Sequence, residues 1–137
     1  MYTPASFRAA NAYRQVGVQS AVTGASSHRL IQMLFEGLLD NLRRAHGAIE
    51  RDDVEAKCKY VSHALRILGE GLKASLDREN GGELAANLSL VYDYCLKRLV
   101  LANIKSDAAG IQEVLNLLSP LAQSWQEIGS TPQARGE

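Results

Sequence analysis

The spacing of the histidines and carboxylates in a sequence indicates whether it can form a metal centre or an acid–base site. A di-iron bundle needs two inward Glu-x-x-His pairs, and no glutamate in this sequence has a histidine three residues later. Glu36 and Asp40 lie one helical turn apart, but a solvated helix face accounts for them. The sequence has no Gly-rich phosphate loop, Gly-x-Ser-x-Gly elbow or Cys-x-x-Cys motif. We therefore predict no catalytic residue, no metal site and no cofactor.

His63 is the residue closest to a chemical role, because Lys59 and Arg66 share its helix face. An exposed histidine beside a cation on a helical bundle is typical of a phosphotransfer domain. Small residues should follow such a histidine, but Ile67 and Leu68 stand there. We favour an ordinary surface histidine and keep phosphotransfer as the alternative.

The two cysteines, Cys58 and Cys95, fall within helical patterns. In an antiparallel hairpin they would lie about 15 Å apart at 1.5 Å rise per residue. This exceeds the limit of about 7 Å between Cα atoms for a disulfide. We expect buried, reduced thiols in a reducing compartment.

A second apolar stripe on the second predicted helix is the feature that most favours binding of another protein. Its members are mostly small and recur every three or four residues: Tyr60, Ala64, Ile67, Gly71 and Ala74. A looser counterpart on the third helix consists of Leu90, Tyr94, Leu101 and Ile104. Small residues permit close approach of another backbone. The alternative is that every helix of a bundle touches two neighbours and needs a wide apolar face.

Four amphipathic segments position these residues, and we predict helices over 27–50, 54–79, 83–104 and 107–128. Ser26 or Ser27 begins the first, Asp52 or Asp53 the second, and Ser106 or Asp107 the fourth. The glycines of Asn80-Gly81-Gly82 separate the second from the third. The core stripe predicted for the third helix is Leu84, Leu88, Val91, Cys95, Leu99 and Ala102.

The predicted fold is all-α, an antiparallel four-helix bundle over 26–128, because short connections make neighbouring helices run up and down. Residues 1–25 are too polar and irregular to build a core element, so we predict a mobile amino-terminal arm or a short extra helix. Residues 129–137 should form a flexible tail. Pro120 should kink the fourth helix or start a new segment there.

Composition and charge narrow the partner class. The 15 Lys and Arg residues balance the 15 Asp and Glu residues, so we expect no nucleic acid partner. The apolar runs are far shorter than the roughly 20 residues that span a bilayer, so we expect no membrane partner. The first 18 residues lack the unbroken apolar core of a secretory signal. We expect a cytoplasmic protein that binds another protein and is not an enzyme.

Several segments together resemble the flagellar secretion chaperone family FliS. The main ones are Gly81-Gly82-Glu83-Leu84-Ala85, Leu90-Val91-Tyr92-Asp93-Tyr94 and Arg98-Leu99. The first-helix segment Leu34-Phe35-Glu36-Gly37, the tyrosine motif at Tyr13 and the last-helix pattern of Leu118, Leu121 and Trp125 also resemble the family. Ser27 and Phe35 depart from it, where proline and tyrosine are usual.

The resemblance implies a cytoplasmic export chaperone that binds the disordered carboxy-terminal segment of flagellin. Such a chaperone prevents premature polymerisation and aids delivery to the flagellar type III export apparatus. The two stripes, without Ile104, would form the client-binding site, and arm residues Tyr13, Val16 and Val18 would cover it when it is empty. A structural bundle that only self-associates is a further alternative. We expect a monomer or a weak or domain-swapped dimer.

Overall fold

The computed structural model describes residues 26–129, which form four α-helices and one π-helical segment without a β-strand. The elements are α1 (Ser27–Glu50), α2 (Val54–Arg66), the π segment (Ile67–Lys73), α3 (Arg78–Lys105) and α4 (Ala108–Gly129). The predicted all-α bundle is therefore confirmed. The predicted arm and tail fall almost wholly outside the described residues.

Polar side chains fix where the helices begin. The Ser26 hydroxyl accepts a hydrogen bond from the backbone of Arg29 at 3.1 Å, and Asp53 accepts one from Ala56 at 3.1 Å. These bonds satisfy amide groups that a first helical turn leaves unpaired. The predicted starts of α1 and α2 are therefore correct.

The end of the second helix differs from its prediction. After Arg66 the chain widens into the π segment, which stops at Lys73, and the Ser75 hydroxyl donates to the Gly71 carbonyl at 2.5 Å. The apolar period shows no break here, so it predicted a helix to residue 79. A π segment adds one residue to the hydrogen-bonded ring, and spacing alone does not reveal it.

Gly82 separates a short first turn of α3 from its long remainder. Its φ of 55° and ψ of −135° are reached readily by glycine and rarely by other residues. The preceding turn begins at Asp77, whose carboxylate accepts a hydrogen bond from the Asn80 amide at 3.0 Å. The predicted break within 80–82 is thus present, although Arg78 already begins helical structure.

Interhelical contacts show that neighbouring helices run antiparallel. Lys57, at the start of α2, is 5% exposed, and its ammonium donates to the Asn103 carbonyl at 2.7 Å, near the end of α3. His28 near the start of α1 stacks on Trp125 near the end of α4, with ring centroids 4.6 Å apart. α4 continues as one helix through Pro120, so the alternative of a new segment there is wrong.

The core draws on all four helices and the π segment. Its largest fully buried side chains are Met33, Leu34, Leu38, Leu42, Ile67, Leu68, Leu99, Ile111 and Leu118. Two predicted core positions are wrong. Cys58 is exposed, although Cys95 is buried and both thiols are free. Leu84 is 68% exposed, because the kink at Gly82 places it at the end of the bundle.

Candidate protein-binding surfaces

The outer face of α3 carries four apolar side chains that the bundle does not cover. Leu90, Tyr94, Leu101 and Ile104 are 68, 48, 48 and 73% exposed. Their spacing of four, seven and three residues puts them on one helix face, which we call the α3 stripe. The buried residues Tyr92, Cys95, Leu99 and Ala102 belong to the face that packs on the core. α3 therefore has two apolar faces, and its neighbouring helices cover only one of them.

The predicted stripe on the second helix lies inside the bundle. Ala64 and Ile67 are completely buried, and Gly71 is buried as well. α2 and the π segment both pack against α1 and α3, so both of their apolar faces are used internally. The prediction of an accessible surface at these three residues is wrong. Tyr60 and Ala74 are half-buried.

A groove of about 420 Å³ opens at one end of the bundle. It is formed by the first turns of α1, the segment after the π segment, the start of α3 and the end of α4. Its apolar lining includes Ile31, Phe35, Leu72, Leu76, Leu84, Leu88, Leu121, Trp125 and Ile128. The end groove could not be predicted from the sequence, because most of its lining residues follow the same apolar periodicity as the core.

A pair of reciprocal hydrogen bonds stands beside the end groove. His28 Nε2 lies 2.8 Å from the Trp125 carbonyl, and the indole N–H of Trp125 donates to the His28 carbonyl at 3.0 Å. Together with the ring stacking, these bonds fix the Trp125 side chain, one wall of the groove. Ser26, the first described residue, lies two residues before His28, so the described structure begins next to the groove.

A charged network lies along the border of the α3 stripe with α4. The Tyr94 hydroxyl donates to Glu113 Oε2, and Arg98 Nε donates to Glu113 Oε1 at 2.8 Å. Arg98 Nη2 also donates to Asp107 at 3.0 Å. The hydrogen bond to Glu113 raises the pKa of Tyr94. The same bond and Arg98 lower the pKa of the Glu113 carboxyl.

The remaining candidates for chemistry are surface groups. Partial burial, Lys59 and Arg66 lower the pKa of His63, which favours its neutral form.

Within 26–129, no three histidine, cysteine or carboxylate side chains group closely enough to hold a metal ion. No helix in this part of the chain is both long and apolar enough to cross a membrane. The arm residues Tyr13, Val16 and Val18 lie outside the described residues.

A helical bundle with an uncovered apolar helix face and an apolar end groove defines a class of protein-binding modules. Comparison with known proteins identifies the family. Residues 9–132 match the family model for the flagellar protein FliS. The chain belongs to this family, which is a family of chaperones and not of enzymes.

Relatives from three bacteria match over most of their length. The flagellar secretion chaperone FliS of Salmonella typhimurium is 49% identical over 93% of each chain. FliSB of Pseudomonas aeruginosa, also a flagellar secretion chaperone, is 41% identical over 90% of this chain and 97% of its own. The Bacillus subtilis FliS is 37% identical over 85% of this chain and 82% of its own. These matches confirm the resemblance drawn from the sequence.

Proposed function

We propose that this protein is a cytoplasmic export chaperone for flagellin. It binds the disordered carboxy-terminal segment of flagellin, prevents its premature polymerisation and aids its delivery to the flagellar type III export apparatus. Membership of the FliS family and the names of its relatives support the export role. The flagellin assignment additionally rests on the family resemblance of the sequence.

The α3 stripe is the observation that carries the binding part of this proposal. Leu90 and Ile104 are 14 residues apart, a distance of about 21 Å along a helix. A client helix of about four turns would cover this length with apolar anchors at i, i+3, i+4 and i+7. Burial of such anchors gives affinity, while the cost of ordering a disordered client keeps the complex releasable.

The client-binding site is accordingly narrower than the sequence predicted. We retain Leu90, Tyr94 and Leu101 and add Ile104, which is the most exposed member of the stripe. Ala64 and Ile67 have no accessible surface for a client to contact, and Gly71 is buried. Tyr60 and Ala74 are half-buried and contribute at most at the margin.

The end groove, whose lining includes Leu84 and Leu88 of α3, continues the client-binding surface beyond the α3 stripe. The amino-terminal arm covers this groove when no client is bound. The arm joins the described structure at Ser26, and the first turns of α1 supply Ile31 and Phe35 to the groove. Val18 precedes Ser26 by eight residues, a reach of up to about 26 Å in extended chain. The apolar side chains of Tyr13, Val16 and Val18 match the apolar lining of the groove.

The charge at the centre of the α3 stripe favours a client over a second copy of this chain. Lys97 is exposed, lies midway between Leu90 and Ile104, and shares their helix face. A two-fold antiparallel pairing of two stripes would bring both Lys97 ammonium groups together, and like charges oppose association. We therefore expect a monomer at micromolar concentration.

Calorimetric titration with a peptide of the flagellin carboxy-terminal segment tests the proposal. The double variant Leu90→Ala/Leu101→Ala should weaken binding by tenfold or more, since each truncation removes apolar contact area. Val54→Ala is the matched control, because Val54 is 59% exposed and lies outside the stripe. Absence of binding by the wild-type protein would overturn the proposed function. Unchanged binding by the double variant would remove the α3 stripe from it.

A further inference from the structure

We propose that Glu113 and Arg98 hold the Tyr94 ring in one orientation on the α3 stripe, so that Tyr94 is a preorganised anchor for the client. The proposal rests on the proposed function and adds two positioning residues to it. Neither residue contributes apolar surface. Both act through the orientation of Tyr94.

Tyr94 is held at its polar end. Its hydroxyl donates to Glu113 on α4, while 48% of the residue stays exposed. A tyrosine in this arrangement presents a large apolar ring to a partner and keeps its hydrogen bond to its own protein. The aliphatic neighbours Leu90 and Leu101 have no polar group by which they could be held. Tyr94 is therefore the one member of the stripe that a hydrogen bond orients.

Glu113 is itself held from two directions. Arg98 lies one turn after Tyr94 on α3, and its Nε donates to the second carboxylate oxygen of Glu113 at 2.8 Å. Nη2 of the same guanidinium donates to the Asp107 carboxylate at 3.0 Å. Arg98 is only 24% exposed at its side chain, so this double contact is better shielded from water than an ordinary surface ion pair. The carboxylate that receives the Tyr94 hydroxyl is thus kept in place.

Gly110 supplies the space for this arrangement. A Cβ atom at this position would lie 2.7 Å from Arg98 Nη1, and the guanidinium would have to move. Gly110 is buried in the first turn of α4, where glycine is otherwise unfavourable in a helix. The absence of a side chain at Gly110 therefore lets Arg98 reach Asp107 and Glu113 together.

A fixed ring improves binding, because immobilising a side chain on association weakens affinity by about two- to tenfold. In this protein the ordering of Tyr94 occurs during folding. Loss of the Glu113 contact should therefore weaken client binding by about that factor, although the apolar surface of the stripe is unchanged.

The test is a double-variant cycle with the flagellin carboxy-terminal peptide as the probe. Tyr94→Phe and Glu113→Ala should each weaken binding by about two- to tenfold, and the double variant should be no weaker than either single one. Glu70→Ala is the control, since it removes the exposed ion pair with Arg66 on a different helix face. Thermal melting followed by circular dichroism verifies folding. If Glu113→Ala melts early, Tyr94→Phe carries the test, because it removes the same hydrogen bond and leaves Glu113 and Arg98 in place.

Side-chain NMR gives a readout that is independent of the client. Three-bond couplings of Tyr94 should report one χ1 rotamer in the wild-type protein and averaging among rotamers in Glu113→Ala. Wild-type affinity for Tyr94→Phe would overturn the proposal, as would an unchanged rotamer in Glu113→Ala. If Tyr94→Phe still weakens binding when it is combined with Glu113→Ala, the hydroxyl contacts the client directly and the proposal is wrong. Failure of the wild-type protein to bind would instead overturn the proposed function.

Discussion

The region formed by α2 and the π segment and the region formed by α3 both carry apolar side chains on two faces, but only α3 leaves one face uncovered. Ile67 is completely buried, whereas Leu90 and Ile104 are more than two-thirds exposed. The difference arises from orientation. The second apolar face of α2 and the π segment meets neighbouring helices, whereas the α3 stripe points away from α2, the π segment and α4, against which α3 packs. An apolar stripe in a sequence therefore marks a binding surface only where the fold provides no neighbour.

Truncation of a buried residue should give the largest contrast between these two regions. Ile67→Ala should lower the free energy of unfolding by about 2–4 kcal/mol, because it leaves a cavity in the core. Leu101→Ala should lower it by less than about 0.5 kcal/mol and should weaken client binding instead. Urea denaturation and peptide titration of both variants measure the two effects. Similar losses of stability would show that the α3 stripe is part of the core.

The contrast between α2 and α3 also explains which features the sequence could predict. The spacing of leucines and the capping residues Ser26 and Asp53 specify the helices, because these signals are local in the chain. The two faces of α2 depend on which helices surround it, and no local pattern contains that information. The end groove likewise depends on the kink at Gly82, which turns Leu84 from the predicted core to the rim.

Removal of the amino-terminal arm should have the next largest effect, which is on client affinity. Deletion of residues 1–18 should tighten flagellin binding by about two- to tenfold, because a groove that is closed part of the time lowers the apparent affinity by the open fraction. The free protein should also self-associate more readily, since its apolar groove is uncovered. Calorimetry and light scattering measure both effects. Clearly weaker binding would show that the arm holds the client.

Salt concentration should have the smallest effect on client affinity. The α3 stripe offers apolar contacts and one cation, and the net charge of the chain is zero. Raising the ionic strength from about 0.05 to 0.5 M should therefore change client affinity by less than about threefold. Titrations at three salt concentrations test this expectation. A loss of more than tenfold would indicate several charge contacts and a different client surface.

Intermolecular NMR contacts test the central claim most directly, because they identify the surface that the client touches. With methyl-labelled chaperone and unlabelled flagellin carboxy-terminal peptide, we expect nuclear Overhauser effects from the peptide to the methyl groups of Leu90, Leu101 and Ile104. The Ile67 methyl groups should show none, since this residue is completely buried. Contacts confined to other surfaces, with none to the three α3 residues, would contradict the account.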